Sequence, residues 1–197
     1  MSKIKQCLSL LGLILAGCSS YASESVSLAL HGYNYTNRYI DSYEINGQGG
    51  GNMGLSTQTA GGSKSTCCGS WWPNSRLPIK VKVKWVADYC KFKEYSSTGE
   101  LFLLKRNFWK EAEALITTPP PADARYLEAH IYEDGHVEAA ITNTYSPPRL
   151  ILPFDEKTQS RTGESYVMPM CTAAQLIAPN AYPRLTDRQL KENGVTP

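Results

Sequence analysis

The stretch from Pro78 to Ala87 constrains the fold more than any other. Ile79, Val81, Val83 and Trp85 alternate there with Lys80, Lys82 and Lys84. A period of two puts the apolar side chains on one face and the lysines on the other, which is the pattern of a half-buried β-strand. Such a strand needs a sheet beside it and a second layer over its apolar face. We read the lysine row as a solvated face that also shields an edge strand from unwanted pairing, rather than as an anion-binding stripe. Arg125–Thr142 carries a hairpin signal of the same kind. A three-residue Glu133-Asp134-Gly135 loop with Gly135 left-handed pairs Ile131 with Val137, Ala129 with Ala139 and Leu127 with Ile141, so that every apolar residue shares a face. With 15 Gly and 12 Pro to turn the chain and 12 Tyr to fill pleated surfaces, the expected fold is all-β. At 197 residues and 42% hydrophobic content the chain can bury a substantial core.

The N-terminus reads as an address. Lys3 and Lys5 precede the apolar run Leu8–Leu15, which is too short to span a bilayer and fits a secretory signal over residues 1–17. Leu15-Ala16-Gly17-Cys18 resembles a bacterial lipobox, in which the Cys18 thiol takes a diacylglyceryl group, the chain is cut before it, and the new amine is acylated. Several acyl chains anchor durably where one is marginal. Ser19 follows, where an Asp would resemble an inner-membrane retention signal, so the expected location is the periplasmic face of the outer membrane. Without the signal, 18 basic residues balance 18 acidic ones, which removes the electrostatic case for nucleic acid. Residues 18–25 are a small, polar tether, 26–145 the β domain, and 146–197 a Pro-rich extension, largely irregular, with a short helix capped by Thr186 and a turn of helix expected at 172–177.

Four cysteines remain once Cys7 is cleaved away and Cys18 is acylated: Cys67, Cys68, Cys90 and Cys171. In an oxidising compartment two disulfides are expected. A Cys67–Cys68 bridge would strain the backbone, so pairings with distant partners rank ahead. If 64–72 and 78–88 were hairpin partners, Cys68 would lie near Lys82 and Cys90 roughly 26 Å along the strand, beyond bridging distance. Either those segments are not partners or Cys90 joins Cys171, and the sequence leaves the pairing open. Adjacent cysteines match zinc-ligand spacing poorly, so no metal is expected.

Catalytic patterns are scarce. Gly163-Glu164-Ser165-Tyr166-Val167 lacks the second glycine of a nucleophile elbow, and Gly61-Gly62-Ser63-Lys64-Ser65 lacks phosphate-loop spacing. On the preferred hairpin register His130 faces Glu138 and Tyr132 faces His136 on the wet side, which is a cross-strand contact more than a general base. His31 reads as structural. We expect no enzyme activity and no cofactor. Trp71-Trp72-Pro73 is the better lead: adjacent indoles on a strand cannot both face one core, and an exposed tryptophan marks protein interfaces, so Trp71 and Trp72 are the partner-binding candidates. Residues 46–54 (NGQGGGNMG) read as a flexible turn region, and 102–116 fits helix and strand periodicity alike.

Several pieces together carry a resemblance: Gly32-Tyr33-Asn34-Tyr35-Thr36, Ile40–Asn46 followed by Gly49-Gly50-Gly51-Asn52, Gly61-Gly62 with Cys67-Cys68, Leu77–Trp85, and Tyr132–Val137. Over about residues 28–145 the chain resembles a family of small proteobacterial lipoproteins of unassigned domain type. They are often encoded beside type VI secretion phospholipase effectors and regarded as their periplasmic immunity proteins. The resemblance implies a single β-sandwich-like domain with Gly/Pro-rich loops, a strand at 102–116, and a protein partner, a phospholipase effector neutralised by binding. It supplies no catalytic residues. The competing expectation is a structural or accessory envelope lipoprotein without a toxin partner.

Overall fold

The computed structural model describes residues 24–196. The lipobox and Cys18 lie outside the described residues. Nine strands form two sheets packed face to face. They are β1 (Val26–Tyr35), β2 (Ile40–Ile45), β3 (Gln48–Met53), β4 (Thr66–Trp71), β5 (Ile79–Tyr95), β6 (Leu101–Ile116), β7 (Tyr126–Tyr132), β8 (Val137–Thr142) and the two-residue β9 (Ala181–Tyr182). Two short helices, α1 (Ala173–Leu176) and α2 (Asp187–Glu192), flank β9, capped by Thr172 and Thr186. One sheet runs β4-β1-β7-β8, the other β3-β2-β5-β6-β9. The fold is mostly β and sandwich-like.

The alternating strand behaves as its pattern requires on one side. Val81, Val83 and Trp85 point into the core and meet Leu28, Leu30, Leu127, Ile131 and Ile141 of the opposite sheet. The lysines face outward. However, β5 is an interior strand between β2 and β6, so they protect no edge. They lie in cross-strand ion pairs instead: Lys80 with Glu113 and Lys82 with Glu111, each at 2.9 Å, and Lys84 with Glu44 at 3.8 Å. Exposed pairs of this kind contribute about 0.2–1 kcal/mol each.

The β7–β8 hairpin takes the three-residue-loop register, with Ile131 opposite Val137, Ala129 opposite Ala139, Leu127 opposite Ile141, and Gly135 at φ +88°. The ambiguous 102–116 segment is strand, the second arm of the long β5–β6 hairpin. Residues 46–54 correct the expectation of a flexible region. Asn46 and Gly47, at φ 51° and 80°, turn β2 into β3. The glycines that made the segment look loose let the buried Tyr43 ring lie on the backbone: a Cβ on Gly50 would sit 2.1 Å from the Tyr43 Cζ.

The Pro-rich extension is tied down by two arginines. Arg106 of β6, 2% exposed, donates to the carbonyls of Gln175, Ala178 and Pro183. Arg161 donates to the carbonyls of Asn34, Ser56, Thr36 and Pro153. A guanidinium has five donors, so each stitches several carbonyls of irregular chain that no ladder would satisfy.

Candidate docking surface

Trp71 ends β4 and Trp72 follows it directly, where successive side chains point to opposite faces. Trp71 is 7% exposed and belongs to the core between the sheets, while Trp72 is 51% exposed. Of the two binding candidates, only Trp72 presents its ring at the surface. Trp71 is a core residue, because its position in the pleat aims it at the opposite sheet.

A second surface feature is larger. Leu101, Phe102, Leu103 and Leu104 open β6, and all four are 42–51% exposed. Four consecutive apolar residues on one strand cannot share a face, so both faces of this arm are apolar and wet. The strand's outer edge is open as well. Farther along, the Trp109 amide donates to the Asn180 carbonyl and the Asn180 side chain donates to the Trp109 carbonyl, while β9 pairs with Asn107 and Phe108. Alternation carries those outward backbone groups on to Lys105, Leu103 and Leu101. Among the described residues no strand pairs with them there. Bare, apolar edges are what soluble β-proteins usually avoid, and they template pairing with another chain. The apolar run was visible in the sequence. Its meaning was not, because the 102–116 segment read as helix or strand.

The histidine and the carboxylates are elsewhere, and sealed. The outer face of the four-stranded sheet carries His31, Tyr33 and Tyr35 from β1 and Glu128, His130 and Tyr132 from β7, which pair in parallel. The sequence put His130 on a wet face. It is fully buried, and so is Glu128, because residues 145–149 strap over this face. Ser146 donates its amide to Glu128 Oε1 (2.8 Å) and accepts from the Tyr33 hydroxyl (2.6 Å). The Tyr35 hydroxyl accepts from the Arg149 amide (2.7 Å) and lies 3.2 Å from His130 Nδ1. That network assigns the proton to His130 Nε2, which faces Glu128 Oε2 at 3.7 Å, too long for a hydrogen bond. Neither atom has another hydrogen-bond partner among the described residues.

Burial opposes charge on Glu128, but the His130 ring and the Ser146 groups outweigh it and hold the carboxyl below its ordinary range. Burial pushes the His130 and His31 imidazoles down, against the pull of Glu128. The resting state is therefore a carboxylate beside two neutral imidazoles. Glu138, the expected partner of His130, sits opposite it in the ladder but bonds to the Tyr132 hydroxyl and to Arg149. A substrate would reach His130 only if the strap lifted.

Cys90 and Cys171 face each other in disulfide geometry, and Cys67 and Cys68 are neighbours in β4. Lys91 sets the first: its amide donates to the Pro169 carbonyl and its carbonyl accepts from the Cys171 amide, each at 2.8 Å, bringing the two Cα atoms to 5.0 Å. With Cys90 and Cys171 facing each other, neither Cys67 nor Cys68 has a distant cysteine placed against it among the described residues. β4 pairs with β1 and not with β5, so the hairpin geometry weighed from the sequence does not arise. Among the described residues no group of His, Cys, Asp or Glu is arranged to hold a metal ion.

A family model described as a protein of unknown function (DUF3304) matches residues 33–139, from the second half of β1 into β8. No curated protein and no solved structure matches the chain.

Proposed function

This chain belongs to the DUF3304 family, whose function is unknown, and from the resemblance described above together with its exposed surface we propose that it is a lipid-anchored envelope binding protein that neutralises a phospholipase effector by occlusion. The observation that carries this reading is the bare apolar edge at Leu101–Leu104. Covering four half-exposed side chains of this size contributes about 1 kcal/mol each, and pairing the edge fixes the register of whatever covers them. Neutralisation by occlusion asks for a complementary surface and no chemistry, and the titratable cluster at Glu128 and His130 is shut away from substrate. The lipobox at Cys18 supports a location at the periplasmic face of the outer membrane, where a tethered protein meets a lipase at raised effective concentration.

The test is periplasmic expression of a phospholipase effector, taken from the genes flanking this one, with and without this protein. Protection by the wild type and its loss in Leu103→Asp supports the proposal. Equal killing in both cells rejects it. Recovery of envelope scaffold components with no hydrolase would favour the accessory-lipoprotein reading.

A further inference from the structure

Resting on the reading that Cys18 carries acyl chains, we propose that the end of the sandwich holding Trp72 lies in the headgroup region of the bilayer as a second, non-covalent contact. Three chain segments meet at this end. The described chain enters at Glu24 and Ser25, and Val26 pairs with Trp71. The loop from Trp72 to Pro78 leads into β5, whose first residue, Ile79, pairs with the last residue of β6, Ile116. Residues 117–125 then lead into β7, which runs parallel to β1. The tether and the Trp72 loop therefore leave the fold side by side.

Length decides how far this end can stand from the anchor. Seven residues separate Cys18 from Val26, and even fully extended they reach no more than about 28 Å. Strand β5 is 17 residues long and spans about 50 Å, so the far end of the hairpin stands well beyond the tether's reach while the Trp72 end falls within it.

The surface has the chemistry of an interfacial contact. Trp72 is half exposed, and the loop that it opens carries the exposed Leu77. An indole favours the boundary between hydrocarbon and water, where its ring is apolar and its N–H stays wet. The charges balance: Arg76 and Arg125 stand against Glu24 and Asp123, and none of the four has an ion pair among the described residues. With no net field the contact needs no anionic lipid. It relies on the anchor to bring it to the surface and on the apolar and aromatic groups to settle there. The Leu101–Leu104 edge is thereby held at the opposite end, free to meet a protein.

Acylated protein reconstituted into phosphatidylethanolamine–phosphatidylglycerol vesicles with brominated acyl chains tests this through tryptophan emission. Trp71 and Trp85 are in the core, and Trp109 lies farther along β6. Quenching should remove about the share of one indole among the chain's four, be absent in Trp72→Phe, and change little with the phosphatidylglycerol fraction. Palmitate incorporated at Cys18 with no quenching beyond that of Trp72→Phe overturns this inference alone. Absence of palmitate overturns the anchoring reading and this inference with it.

Discussion

Acid should loosen this fold well before its carboxylates titrate, and His31 and His130 are the reason. Burial holds both imidazoles below the ordinary value of 6.5, so they are neutral in the folded chain where the unfolded chain begins to take up protons. For a base depressed in this way, stability is full above the unfolded value and falls as pH drops through it, because only the unfolded state binds the proton. Between pH 7.5 and 5.5 each histidine contributes at most about 1.4 kcal/mol of loss, so the pair accounts for up to about 2.7 kcal/mol. Urea unfolding at half-unit pH steps measures the slope. His130→Gln should remove about half of it. A stability that is flat from pH 7.5 to 5.5 would refute the sealed, neutral cluster. Glu128 acts lower on the scale: its carboxyl is held below 4.5, so the stability it contributes is lost only as pH falls through that lower range.

Other perturbations separate the parts of the fold. Replacing Cys90 and Cys171 with Ser opens a crosslink of sequence separation 81 and should cost about 4–5 kcal/mol, read from the denaturation midpoint. Gly50→Ala should cost about 1–3 kcal/mol by forcing the Tyr43 ring off the backbone, and the melting temperature should fall accordingly. Arg106→Met strips three carbonyls of their donor, so hydrogen exchange should quicken across 172–184 while the core strands stay protected.

The parts of this fold readable from sequence are those where a single physical requirement acts alone. The 79–85 alternation and the Gly135 turn each had one low-energy answer, and each formed. The glycines of 49–51 carried two opposite signals, chain freedom and close approach to a ring. Only the position of Tyr43 distinguishes them. His130 was misplaced because the hairpin pattern is silent about the strap at 145–149, which comes from proline-rich chain with no periodicity. The same silence hid the role of β5. Lysines on an alternating strand look alike at an edge or in the middle, and here glutamates of β2 and β6 answer them. Trp71 and Trp72 could be split by the pleat alone, but which of them turned outward required the second sheet.

The central claim is that the β6 edge captures a lipase. The most direct measurement is phospholipase activity titrated with this protein in solution, prepared from residue 19 onward so that it carries neither the signal segment nor Cys18. The account predicts stoichiometric loss of hydrolysis with the wild-type surface and recovery of activity with Leu103→Asp. Undiminished hydrolysis at a several-fold excess of a folded wild-type chain would contradict it.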